Sequence, residues 1–216
     1  MRTRQEIKAI AKVNFRNNYG TLLGIMVVFT LITGALSSLS ALTVGVTGIA
    51  SLFISLPLSV GMCLHYTLVY KGGTPAFATM FNSAFSVNYS RKLGGSLWQA
   101  LFLWLWSLLF FIPAIFKFFS YAATPYILAN YPEVKAKDAL KLSMRVMKDH
   151  WADLFVFMLS FIGWYMLSML TCGILLFFYV GPYYAVAAAG FFTEIIDEGV
   201  RTGVITEEQL QGAPFA

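Results

Sequence analysis

The sequence predicts an all-α, polytopic membrane protein with about six transmembrane helices arranged as three hairpins and amphipathic helices on the cytosolic side. Three observations predict it. No Asp, Glu, Lys or Arg occurs from Asn17 to Tyr70 or from Leu154 to Thr193. Of the 216 residues, 12% are charged and 58% hydrophobic, whereas an ordinary soluble domain is about 25% charged. Crossing a hydrocarbon core of about 30 Å takes about 20 apolar residues, so each charge-free run is long enough for two crossings. The length suits one integral membrane domain over 1–216, without a separate soluble domain.

Residues 3–16 read as an amphipathic helix. Thr3 and Glu6 have capping-box spacing, which satisfies early backbone N–H groups. Ile7, Ile10 and Ala11 form a short apolar stripe. Arg4, Lys8, Lys12 and Arg16 recur every four residues as one basic ridge, and like charges at that spacing repel. Anionic headgroups would relieve the repulsion, at about 1 kcal/mol per basic residue near the surface. A solvated helix whose charges only set orientation fits the pattern equally. The segment is longer than the basic region of a secretory signal, so it is read as retained.

The first hairpin covers about 19–70. Its arms are Tyr19 to Leu39 and Gly48 to Tyr70, the second kinked at Pro57. Gly72, Gly73 and Pro75 then break the chain. Ala76, Phe77, Met80, Phe81, Ala84 and Phe85 have the spacing of a short helix lying in the interface. The second hairpin covers about 96–129, with a turn at Pro113 and Pro125 in the return arm. A single long broken helix is the competing reading. Pro132 ends this unit. Residues 133–150 read as a surface helix: Ala136, Leu140, Ser143, Met147 and Trp151 line one side, and Lys137, Lys141, Arg145 and Lys148 lie off it. The third hairpin covers about 151–192, turning at Thr171 to Gly173 and carrying Pro182 in its second arm. A polar tail follows over 194–216. Each hairpin thus has a proline in its second arm, a repeat of parts with little sequence identity.

With both termini cytoplasmic, every Lys and Arg except Lys117 falls on the cytoplasmic side, as the positive-inside rule requires. Lys117 is expected near the outer end of the fourth crossing. It either snorkels to the headgroups or forms an intramembrane ligand site. His65 is expected to be a hydrogen-bonded packing residue. Asp149, His150 and Asp153 are expected to cap the fifth crossing. Cys63 and Cys172 stand far apart in apolar runs and read as small buried hydrophobes; neither metal nor other cofactor is expected. Gly20/Gly24 and Ala185/Ala189 have the small-residue spacing of close helix contacts, within the chain or to a homo-oligomer or protein partner. The basic residues flank apolar segments rather than forming a dense face, which argues against nucleic acid. No nucleophile elbow, zinc-protease or phosphate-loop motif occurs, so a non-enzymatic role is expected.

The run from Leu108 to Asp153 resembles the bacterial membrane family called domain of unknown function 975. The resemblance rests on Ile112 to Ile115 for an I-P-G-I turn, Tyr121 to Leu128 for Y-x-x-x-P-Y-I-L, and Ala139 to Ser143 for A-x-x-L-S. Phe161 to Trp164 supplies a following F-I-G-W. Ala114 replaces the usual turn glycine, and Lys135 stands where a capping Ser or Thr is expected. The family is similar in layout to the membrane domain of some glycerophosphodiesterases. The resemblance implies a multi-pass protein of the bacterial inner membrane with no assigned activity. The expectation is an envelope scaffold or accessory subunit contacting anionic lipid through Arg4, Lys8, Lys12, Arg16, Lys137, Lys141, Arg145 and Lys148. The alternatives are a small transporter or channel using the proline-broken helices and Lys117, and an immunity protein against membrane-active peptides.

Overall fold

The computed structural model of the protein describes residues 2–42, 46–74, 76–86, 88–109 and 111–213, and the regular elements among them are all helical. Helix α1 (Arg4–Asn17) starts at Thr3 with both capping-box bonds formed. It buries Ile7, Ala11 and Phe15, one residue per turn. Two long apolar helices follow, α2 (Tyr19–Leu42) and α3 (Val46–Tyr70, with Pro57 inside). In α2 the hydroxyls of Thr30, Thr33, Ser37 and Ser38 donate to carbonyls one turn back. That is how polar side chains are accommodated in a helix surrounded by lipid.

Short α4 (Phe77–Phe81) and the π-helical turn Asn82–Ser86 pack on α3 at Gly61. A Cβ there would sit 2.9 Å from the Met80 carbonyl oxygen, so only glycine permits the approach. The predicted break residue Pro75 lies outside the described residues.

Helix α5 (Tyr89–Leu109) is followed by α6 (Phe111–Tyr121) and α7 (Thr124–Asn130). Gln99 donates to the Tyr121 carbonyl at 3.1 Å and Arg91 to the Leu128 carbonyl at 2.7 Å. α5 therefore runs antiparallel to α6–α7, and residues 89–130 fold as a hairpin rather than one broken helix. Pro113 falls in the first turn of α6, and Pro125 begins α7 after a break at Ala122 and Ala123.

The surface helix is α8 (Ala136–Met147), and Lys135 at its N-cap makes no side-chain capping bond. Helices α9 (Trp151–Leu159) and α10 (Ile162–Leu170) form one arm of the last hairpin. The turn uses Cys172 at φ 50° and Gly173 at φ 82°. Cys172 is exposed there, so it is not the buried hydrophobe expected. The return arm is a π-helical turn, Leu176–Val180, followed by α11 (Gly181–Arg201), which has Pro182 in its first turn.

The expected polar tail is largely structured. α11 continues past Phe192 because Ile195, Ile196 and Gly199 prolong its buried face. Short α12 (Glu207–Leu210) then folds back, burying Ile205 and Leu210.

Among the described residues, four helical segments are long and apolar enough to cross a membrane: Tyr19–Ser38, Ser51–Tyr70, Trp151–Leu170 and Leu176–Arg201. The chain is therefore read as a helical membrane protein. The other two crossings of the expected six are not among these segments. The reason is local: α5 spends its first half on Arg91, Lys92, Gly94, Gly95, Ser96 and Gln99, and its partner arm is split into α6 and α7.

The three proline-bearing arms meet in the core. α3 packs against both α7 and α11. Tyr126 stacks on Phe192 with ring centroids 4.5 Å apart, and Asn130 donates to the Thr67 hydroxyl at 3.3 Å. Gly190 lies so close to the Tyr70 ring that a Cβ would overlap it.

Candidate functional site

Two amphipathic helices, α1 and α8, present exposed cations. Helix α8 buries Ala139, Leu140, Leu142, Ser143, Val146 and Met147 against the α5–α7 hairpin. Lys137, Lys141, Arg145 and Lys148 are all exposed. Lys137 covers the Trp98 ring at 5.4 Å, and Lys141 pairs with Asp138 at 3.8 Å. Trp151, expected on the apolar side, instead stands outward, edge-on to Phe116 at 5.9 Å.

Helix α1 docks on α11 and exposes Arg4, Lys12 and Arg16. Lys8 departs from the expected ridge. Its ammonium donates to the Ser160 carbonyl at 3.2 Å and lies 4.2 Å from the centre of the Phe161 ring. Burial pushes its pKa down from the usual lysine value. Sequence spacing puts the four cations on one face; the carbonyl freed at the α9–α10 break draws the second of them inward. The start of α1 and the C-terminal half of α8 meet the last turns of α11, whereas Phe15 at the other end of α1 packs on Tyr179 and Tyr183, around the start of α11. Arg2, just before α1, pairs with Glu194 at 3.0 Å, and Val146 of α8 packs at Gly199.

Lys117 also lies beside a basic helix. Its ammonium is 3.8 Å from the Met144 sulfur of α8, 5.4 Å from the Trp106 ring centre and 5.7 Å from that of Tyr121. The neighbouring Ser143 hydroxyl donates to the Ser120 carbonyl at 2.8 Å. Between α6 and α8 a cleft of about 320 Å³ is lined by Phe116, Lys117, Ser120, Met144, Met147, Lys148 and Trp151. Two predicted cations from separate elements thus share one cleft, and no carboxylate lines it among the described residues.

Other polar groups were not singled out by the sequence. A groove of about 1020 Å³ opens along α1 where α3 and α11 end, lined by Arg2, Glu6, Asn14, Tyr70, Lys71, Glu194, Asp197, Glu198 and Arg201 among others. Tyr70 donates to Glu194 at 3.3 Å, Asn14 to the Tyr70 carbonyl at 2.8 Å, and Arg201 pairs with Glu198. The signal was present in the continued apolar spacing of Ile195, Ile196 and Gly199. Arg91 donates to the carbonyls of Leu128, Tyr131 and Val134, tying off the end of α7. Lys92 is buried and donates to the Ser83 carbonyl. Burial first, and then the neighbouring Arg91 charge, hold its pKa below the ordinary lysine value.

His65 is fully buried, but neither ring nitrogen has a hydrogen-bond partner among the described residues, contrary to expectation. His150 Nδ1 lies 3.2 Å from Asp153 at the start of α9, and no side chain caps that helix. A Cβ on Gly20 would meet open space, while one on Gly24 would lie 3.3 Å from the Phe77 ring. Ala189 is buried within the bundle. No group of three or more His, Cys, Asp or Glu side chains gathers as a metal site among the described residues.

Over residues 108–198 the chain matches the family described as Protein of unknown function (DUF975), which is the family that Leu108 to Asp153 resembles. The matched region takes in α6 to α10 and most of α11 and leaves α1 to α4 outside. No curated protein and no solved structure matches the chain.

Proposed function

We propose that this chain is a non-enzymatic, multi-pass protein of the bacterial cytoplasmic membrane that binds anionic lipid at its cytoplasmic side and serves as an envelope scaffold or accessory subunit. One observation carries the reading. α8 buries its apolar face on the hairpin and leaves Lys137, Lys141, Arg145 and Lys148 exposed, beside large exposed apolar residues such as Leu101, Trp104, Leu108, Ile115 and Phe116. A helix made this way lies along a membrane surface, with apolar groups on the lipid side and cations at the headgroups. Arg4, Lys12 and Arg16 of α1 are exposed as well and belong to the same proposed contact with anionic lipid.

The topology follows from reach. From Gln99, which is level with Tyr121 and follows the Trp98 ring that Lys137 of α8 covers, to Leu109 the arm has about ten residues, which at about 1.5 Å each reach roughly 15 Å. That is half of a hydrocarbon core of about 30 Å. The α5/α6–α7 hairpin therefore enters the cytoplasmic leaflet as a wedge, and the four long helices cross. A wedge returns the chain to the side it came from, so both termini remain cytoplasmic, as in the six-crossing layout. The exception to the positive-inside pattern disappears, because Lys117 then lies at the cytoplasmic interface beside α8. A transport reading that used Lys117 in an interior path loses support from its position against Met144.

The test is lipid retention on the full chain purified in mild detergent. Replacing Lys137, Lys141, Arg145 and Lys148 together by Gln is expected to lower retained phosphatidylglycerol several-fold and leave retained phosphatidylethanolamine unchanged. Equal retention of phosphatidylglycerol by this variant and the natural chain would overturn the proposal.

A further inference from the structure

We infer that the cleft between α6 and α8 is a binding site for the headgroup phosphate of one anionic phospholipid of the cytoplasmic leaflet, held between Lys117 and Lys148. The inference rests on the reading of α8 as a cytoplasmic interfacial helix and adds a defined ligand to it. Half-buried Lys117 has a thioether and two aromatic rings beside its ammonium, and these are weak partners for its protons. The cleft offers Lys117 no carboxylate. The Ser120 hydroxyl does not compete for this role, because it donates to the Phe116 carbonyl at 2.8 Å. A phosphodiester supplies what is missing: one negative charge and several acceptor oxygens, able to accept from two ammonium groups at once.

The shape of the surroundings selects a lipid over a free anion. Phe116 and Trp151 form one wall of the cleft, and Ile115, Phe118 and Phe155 are exposed nearby. An acyl chain leaving a phosphate in the cleft would lie on these residues. The Trp151 indole N–H has no partner among the described residues, which leaves it for a glycerol or phosphate oxygen at the rim. The larger groove between α1, α3 and α11 is unsuited to an anion. Four carboxylates line it against three cations, with Arg2 and Arg201 already paired.

The experiment uses the full chain in phosphatidylcholine vesicles carrying either phosphatidylglycerol or phosphatidylcholine brominated in the acyl chain. The Trp151 signal is isolated as the difference between natural chain and Trp151→Phe. Brominated phosphatidylglycerol is expected to quench this signal several-fold more than brominated phosphatidylcholine. Lys117→Gln and Lys148→Gln should each abolish that preference, and Lys117→Arg should keep it, which separates loss of charge from loss of fold. Preference retained in both Gln variants, or displaced by added inorganic phosphate, would overturn the inference. The triple variant of Arg4, Lys12 and Arg16 to Gln reads the wider proposal apart from the site. It should lose bulk retention of anionic lipid while Trp151 keeps its preference. Bulk retention lost from every variant and from the natural chain, with Trp151 preference intact, would sink the wider proposal and spare the site.

Discussion

The inner and outer arms of the bundle are built from similarly apolar sequence and end in different surroundings. α2 and the α3 arm it folds against are both charge-free. Yet 11% of the apolar window of α2 is buried within the protein, against 44% for α3 and 61% for the arm containing α11. Lipid is as apolar as leucine, so hydrophobicity does not decide which arm goes inside. Close fit decides it. The inner arms carry the small residues, Ala187, Ala188, Ala189 and Gly190, that let α3 and α11 approach. The outer arms display Leu31, Met169 and Leu170, among the most exposed apolar side chains of the protein.

The largest expected effect breaks that difference directly. Gly190→Leu drives a side chain into the Tyr70 ring, which is held in turn by its bond to Glu194. Overpacking typically costs about 1–3 kcal/mol, and more where the neighbour is held in place. The expected outcome is loss of the folded bundle, read as a large fall in thermal midpoint in detergent. Gly163→Ala in the outer arm has nothing within 4 Å of the new Cβ. It should be neutral or gain up to about 1 kcal/mol from helix propensity. Equal destabilisation by the two changes would refute the inner and outer assignment.

A smaller effect sharpens the account of α1. Bonds from the Thr3 backbone and side chain hold the Glu6 carboxyl below the usual glutamate pKa. A lowered carboxyl stabilises at pH above its ordinary value, and that support is lost as pH falls through the folded-state value. Amide protection at the start of α1, taken relative to the intrinsic exchange rate at each pH, should therefore fall below pH of about 4, since an ordinary glutamate titrates near 4.3. In Glu6→Gln this acid step should be absent. An unchanged acid step in the variant would assign it to another group.

Much of this was legible in the sequence because it is local. The capping box, the buried face of α8 and the four long apolar segments depend on spacings within one element. What escaped depends on neighbours. Lys8 is spaced as a surface cation, and only the carbonyl at Ser160 turns it inward. Lys117 counts as distal along a straight arm, and only the packing of α6 on α8 brings it beside Met144. Residues from Glu194 onward look like a tail because charge marks the end of the apolar layer. α11 nevertheless continues beyond that layer, since a helix ends where its packing ends.

Both lipid readings depend on the hairpin stopping within the cytoplasmic leaflet, and thiol labelling tests this most directly. Ser107→Cys puts a thiol near the hairpin tip, and natural Cys172, exposed in the α10–α11 turn, provides the opposite-side control. With a membrane-impermeant maleimide added to intact cells, Cys172 should label from outside and the thiol at 107 should not. Labelling of both positions from outside would show that the hairpin crosses the membrane, and would contradict a Lys117 site in the cytoplasmic leaflet.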